Sequence, residues 1–118
     1  MTDCVLVVDD DPSIRKLVSI ALQSEGLNVL AASDGKEALD LVDQTSPRVI
    51  ILDVQMPVMS GPEFLEEARS RGIESPVVIL SAYGAQEVGR RVGANAAIAK
   101  PFDPQHLVDT ALSLCAKS

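Results

Sequence analysis

The chain has 118 residues, 47% of them apolar, and a formal net charge of −7 at neutral pH. This is the length of one domain, with enough apolar material for a core, and the acidic balance argues against direct binding to nucleic acid. No apolar run approaches the ~18 residues of a membrane span, and Met1-Thr-Asp-Cys4 runs into a strand-like segment without the basic stretch of a signal peptide; no membrane contact and a cytoplasmic location are expected.

Short apolar runs alternate with segments of helical period. Cys4–Val8 reads as a strand. Asp11-Pro12 then supplies a helix cap followed by proline at the first helical position. Ile14, Leu17, Val18, Ala21 and Leu22 recur at helical spacing, and Gly26 is a natural stop. A strand near Asn28–Ala32 leads to a helix opening at Asp34, with Glu37 placed as in a capping box. Val49–Leu52 is apolar throughout, as expected of a strand covered by helices on both faces. Pro57 and Gly61 mark a loop before a helix carrying Phe64, Leu65 and Ala68. Pro76–Leu80 is the next strand, Gly84–Gly93 a weaker helix, and Ala97–Ala99 a short strand. Asp103-Pro104 repeats the first cap and opens a helix burying Leu107, Val108, Ala111, Leu112 and Cys115. Repeated β/α pairs imply a parallel sheet between helix layers with right-handed crossovers. Cys4 and Cys115 form no C-x-x-C pair, which argues against zinc and predicts two buried small hydrophobes.

In open parallel sheets, sites form beyond the carboxyl ends of the strands. Asp9, Asp10 and Asp11 follow the first strand, Asp53 the third, Ser81 the fourth, and Lys100-Pro101 the fifth. Taken singly, Asp11 reads as a helix cap, Asp9 or Asp10 as a solvated loop acid, Ser81 as a turn residue and Lys100 as a surface lysine. Together they place carboxylates, a hydroxyl and an amine at one edge. Clustered carboxylates repel unless a cation neutralises them, and Mg²⁺ prefers such oxygen ligands while keeping waters and phosphate oxygens. A carboxylate beside a metal and an ammonium suits nucleophilic attack on phosphorus.

Val7-Val-Asp-Asp-Asp-Pro12, Leu52-Asp-Val-Gln-Met-Pro57 with Met59-Ser-Gly61, Leu80-Ser-Ala82 and Ala99-Lys-Pro-Phe102 resemble the motifs of the receiver domain of two-component response regulators. The resemblance spans residues 1–118 as one domain. It implies a flavodoxin-like (βα)5 three-layer sandwich with parallel sheet order 2-1-3-4-5. By position, Asp53 matches the phosphoacceptor. Asp10 matches a direct ligand of Mg²⁺ (or Mn²⁺), Asp9 one acting mainly through water, and Gln55 the residue whose backbone carbonyl binds the metal. Ser81 matches the hydroxyl that follows the phosphoryl group, and Lys100 the lysine on its oxygen, with a cis bond to Pro101. The implied donor is a phosphohistidine on a sensor histidine kinase or histidine phosphotransfer protein. The implied output is a protein-interaction surface around the fourth and fifth helices, acting on a downstream protein, with dimerisation on phosphorylation a common family trait. His106, the single histidine, reads as a surface residue. Only self-phosphorylation and autodephosphorylation are implied as activities.

The chain departs from the family pattern at two places. Ala97 stands where many receivers carry an aromatic residue. The stretch between Ser81 and Lys100 is shorter than usual by roughly one helical turn, and Gly84, Gly89 and Gly93 weaken its helix, which points to a mobile or remodelled fourth helix. Tyr83 and Gln55 occupy positions that govern water access to the acyl phosphate, and Tyr83 either shields it or simply covers the loop. Ala97 and the short helix leave a degenerate, phosphorylation-independent binding module as the alternative. A flavin-binding flavodoxin would need a Ser/Thr/Gly-rich loop where the three acids stand. An aspartate-nucleophile phosphatase would carry an acid at Gln55.

Overall fold

In the computed structural model, which describes residues 4–117, the alternating pattern resolves into five β/α units. They are β1 (Cys4–Val8), α1 (Pro12–Gln23), β2 (Asn28–Ala32), α2 (Gly35–Thr45), β3 (Val49–Asp53), α3 (Gly61–Ser70), β4 (Val77–Ser81), α4 (Ala85–Val92), β5 (Ala96–Ala99) and α5 (Pro104–Lys117). The reading of Met1–Asp3 lies outside the described residues. The strands form one parallel sheet in the order β2-β1-β3-β4-β5. This is the flavodoxin-like sandwich implied by the sequence. Among the described residues no helix is long and apolar enough to cross a membrane.

The period of two along each strand sorts the core into two halves. Val5, Val7, Val49, Ile51, Val78, Leu80 and Ile98 face Val18 and Leu22 of α1 and Leu107, Val108 and Ala111 of α5. Leu6, Val8, Ile50, Leu52, Val77 and Ile79 face Ala38, Leu39 and Val42 of α2 and Phe64, Leu65 and Ala68 of α3, with Val88 and Val92 of α4 partly buried there. Val49, Ile50, Ile51 and Leu52 are fully buried. Each contributes on the order of 2 kcal/mol, more in sum than it costs to hold one carboxylate, Asp53, at the strand's end.

The proline-led caps form as the sequence indicates. Ser13 N–H donates to Asp11 Oδ1 at 2.9 Å and Gln105 N–H to Asp103 Oδ1 at 3.0 Å. Other local readings need correction. At α2, Asp34 accepts from Glu37 N–H, but the Glu37 carboxylate turns to Ser33 N–H, one residue before the cap. The reciprocal capping box lies at α3, between Ser60 and Glu63. β4 is shifted one residue forward, so Ser81 closes the strand instead of following it. Cys115 is buried as expected, but Cys4 is only half-buried, being the first residue of β1. Leu17 is 45% exposed despite its helical spacing, because it rides the rim of the apolar face of α1.

α4 also differs from its sequence reading. Gly84 and Gly93 lie outside it as caps in the left-handed region, at φ 60° and 76°, so only Gly89 is interior. Gly89 is buried, and a Cβ placed on it would stand 3.0 Å from the Ala97 methyl. The helix therefore lies against β5 at a spacing that two small residues set, and a ring at position 97 would not fit beneath it.

Candidate functional site

Alternation along parallel strands puts three charged residues in register at the carboxyl edge. Asp9 extends the row of Val5 and Val7, Asp53 that of Val49 and Ile51, and Lys100 that of Ile98, all facing α1 and α5. Lys100 Nζ lies 3.1 Å from Asp9 Oδ2 and 3.0 Å from Asp53 Oδ1. Asp9 has no exposed surface and Asp53 is 5% exposed, whereas Asp10 is exposed in the turn. One carboxylate oxygen from each of Asp9, Asp10 and Asp53 lies within 4.8 Å of the other two. Three carboxylates against one ammonium leave two negative charges uncompensated. Hard oxygen donors with that charge excess fit a dication such as Mg²⁺.

Asp9 is spoken for at every polar atom. Its N–H donates to the Ala32 carbonyl, its Oδ1 accepts from Asp11 N–H at 2.9 Å, its Oδ2 takes Lys100, and its carbonyl accepts from Arg15 Nη1 at 2.8 Å. Each Asp9 carboxylate oxygen therefore already carries one donor, which Asp10 does not. Among the described residues nothing donates to the Asp10 carboxylate, which leaves it open. Gln55 is exposed in the loop after β3, and no described group donates to its carbonyl.

Among the described residues the Ser81 hydroxyl makes no hydrogen bond to the other predicted site residues. Ser81 continues the row of Val77 and Ile79 on the opposite face, and its Oγ donates to the Tyr83 carbonyl at 2.6 Å while accepting from Tyr83 N–H at 3.2 Å. Its own carbonyl accepts from Lys100 N–H, which ties the β4 and β5 ends together. Tyr83 is 82% exposed, so of its two readings shielding gains no support from this arrangement. His106 is exposed on α5, as read from the sequence. The Lys100-Pro101 bond is cis.

Burial, joined by the nearby charges of Asp9 and Asp10, pushes the Asp53 carboxyl up to about 6, although Lys100 works against it. For Lys100, burial is the largest influence and pulls the ammonium down. The hydrogen bonds and charges of Asp53 and Asp9 together outweigh it, so the net direction is up. A carboxyl raised in the folded state contributes stability below its unfolded value, and that stability is lost as pH rises through the folded value. In metal-free protein, Asp53→Asn should therefore be more stable than wild type by about 2 kcal/mol at pH 7. The gap should open between roughly pH 4 and 6 and vanish below pH 4. Urea denaturation in chelator, followed by circular dichroism, measures it; equal stability across that range would contradict a desolvated acceptor.

Two features of the site had no clear signal in the sequence. Arg15 reads as an ordinary helix-surface residue until its contact with the Asp9 carbonyl is seen. Gly61 reads as loop punctuation, yet it is the first residue of α3, and a Cβ there would collide with the Asp53 carbonyl oxygen. The Ser60-x-x-Glu63 spacing was the available sign that α3 begins at that point.

Fold and site together define a doubly wound α/β protein with a charged, oxygen-rich site at the carboxyl edge of its sheet. Residues 5–112 match the family model described as response regulator receiver domain. The chain is 42% identical over 106 residues to a probable transcriptional regulator, ycf27, of Guillardia theta, covering 87% of this chain and 41% of that one. It superposes on the receiver domain of the Francisella response regulator 1452 with a TM-score of 0.92 at 33% identity, covering 98% of each chain. The chemotaxis protein CheY4 of Vibrio cholerae gives 0.88 at 38% identity, over 97% of this chain and 99% of that one. The chain belongs to the response regulator receiver domain family, a family of signalling phosphoacceptors that bind Mg²⁺ at an acidic pocket and work with sensor histidine kinases and downstream effectors. It spans 41% and 46% of the length of the first two curated relatives.

Proposed function

We propose that this chain, over residues 1–118, is a phosphorylation-controlled switch whose acceptor is Asp53. The observation that carries this reading is a nearly buried carboxylate held 3.0 Å from Lys100 Nζ, with two further acids within 4.8 Å. An Asp53 oxygen attacks the phosphorus of a phosphohistidine on a sensor kinase or phosphotransfer protein. The O–P bond forms as the P–N bond breaks, and the imidazole leaves. Asp53, Asp10 and the Gln55 carbonyl would hold Mg²⁺ or Mn²⁺, with Asp9 acting through water. When bound, the ion supplies charge neutralisation for the incoming phosphoryl oxygens. Lys100 moves from the carboxylate to a phosphoryl oxygen. Ser81 leaves the Tyr83 carbonyl and donates to another, which loosens the start of α4.

The short α4, seated on Ala97 through Gly89, supports output through the α4–α5 face by movement of the helix as a body, without an aromatic switch. The downstream target is a protein, in the same chain or another, and phosphorylation-dependent dimerisation is one form the output can take. The absence of a spanning helix among the described residues is compatible with a cytoplasmic site of action.

Intact-mass spectrometry after incubation with Mg²⁺ and phosphoramidate tests the reading. Wild type should gain one phosphoryl adduct that needs the ion and is absent from Asp53→Asn. Folded wild type that gains none, from this donor and from phosphohistidine proteins, would replace the reading with the constitutive binding module.

A further inference from the structure

The Asp10 carboxylate is the open acid of the site, and among the described residues no side chain holds it. Its direction must come from the backbone. The Asp9 carbonyl and the Asp10 N–H belong to one rigid peptide plane, so whatever fixes that carbonyl fixes the plane from which Asp10 departs. The group that fixes it is Arg15, whose Nη1 donates to the Asp9 carbonyl at 2.8 Å from six residues along the chain. Asp9 N–H is held by the Ala32 carbonyl across the sheet, and Asp9 Oδ1 by Asp11 N–H. The first secures the end of β1, and the second ties the Asp9 side chain to the peptide that follows Asp10. The Arg15 bond alone reaches the peptide that leads to Asp10.

The placement of Arg15 is unfavourable by local rules. It is the fourth residue of α1, whose first turn carries no acid, so a cation sits near the positive end of the helix dipole. A helix seeking stability there would carry Asp or Glu. Its guanidinium is instead aimed back at the end of β1, where Nη1 meets the Asp9 carbonyl. Among the described contacts this is the one hydrogen bond of its side chain.

We infer that Arg15 is a positioning residue for the metal site: through the Asp9–Asp10 peptide it holds the Asp10 carboxylate in the direction a divalent cation requires. This rests on the metal site described under the proposed function. Groups that orient metal ligands without touching the metal are commonly worth about 10- to 100-fold in affinity. Arg15→Ala should therefore bind Mg²⁺ about tenfold more weakly than wild type, with little change in the stability of the metal-free protein. Arg15→Lys, which keeps the charge and a donor of comparable reach, should recover most of the affinity.

The test is calorimetric titration of wild type, Arg15→Ala and Arg15→Lys with MgCl₂, paired with melting curves in chelator. Weaker binding by the alanine variant, unchanged metal-free melting and recovery by lysine support the inference. Equal affinity in wild type and Arg15→Ala overturns it, as does a loss that appears only as a lowered metal-free melting temperature. If Arg15→Ala does not fold, Arg15→Gln replaces it, and wild-type affinity in that folded variant together with Arg15→Lys is likewise a refutation. Absence of Mg²⁺ binding in wild type would overturn the metal reading itself and is recognised without reference to any variant.

Discussion

Lys100→Met should destabilise the metal-free protein by about 3 kcal/mol at pH 7. Methionine keeps the apolar stem and removes the charge. Asp9 has no exposed surface and Asp53 little, and both carboxylates take their cation from this one ammonium, at 3.1 and 3.0 Å. Breaking a buried pair leaves an uncompensated charge out of water, and here it leaves two. The contrast is the surface pair of Arg71 and Asp43, shorter at 2.6 Å but with side chains 38% and 49% exposed. That pair contributes little to stability because solvent screens it. Burial and not distance decides the ranking. Lys100 holds the Asp53 carboxyl down, so without it Asp53 takes up its proton above the wild-type value of about 6; the deficit of Lys100→Met should shrink as pH falls toward 6 and level off below it, and millimolar Mg²⁺ should also reduce it by replacing the missing charge. Urea unfolding in chelator, repeated with Mg²⁺, measures both; a loss below about 1 kcal/mol in chelator would mean that water reaches these acids freely.

The same burial explains why so much of the site could be read in advance. A strand flanked by helices on both faces has no room for polar residues, so an acid at the end of Val49–Leu52 stands out, and a period of two carries Asp9, Asp53 and Lys100 to one side. The helix starts at Asp11-Pro12 and Asp103-Pro104 are local chemistry, and they form as local chemistry predicts. What stayed hidden depends on contacts between distant segments. No local rule gives the Gly89–Ala97 spacing, because helix-on-sheet distance belongs to neither residue alone. The Ser81 hydroxyl could not be placed, since a strand-end serine can point at the site or cap its own loop, and here it caps Tyr83. Val58, 78% exposed with φ 69°, is a strained β-branched residue in the β3–α3 loop that its sequence neighbours do not announce. Its setting is a tight turn in which Met59 N–H donates to the Pro57 carbonyl.

That loop must return to the sheet at Gly61, and Gly61→Ala should cost about 3 kcal/mol and impair phosphoryl uptake on Asp53. Gly61 N–H donates to the Val54 carbonyl at 2.9 Å, which draws the start of α3 onto the end of β3. A methyl there would overlap the Asp53 carbonyl oxygen and stand 3.1 Å from Val54 Cα. Both neighbours are backbone, so no side chain can rotate away, and relief requires α3 or the acceptor strand to move. Gly61 has no left-handed φ, so alanine meets no conformational penalty and gains helix propensity of up to about 1 kcal/mol; the predicted loss is steric. Gly26→Ala is the reference, because φ there is 84° and nothing lies within 4 Å. It should cost about 1–2 kcal/mol through backbone conformation alone and leave phosphorylation untouched. Thermal melts and phosphoramidate labelling of the two variants separate the causes. If Gly61→Ala is as stable as wild type and labels at the same rate, the loop has slack, and the position of Asp53 is set by the sheet and Lys100 without help from α3.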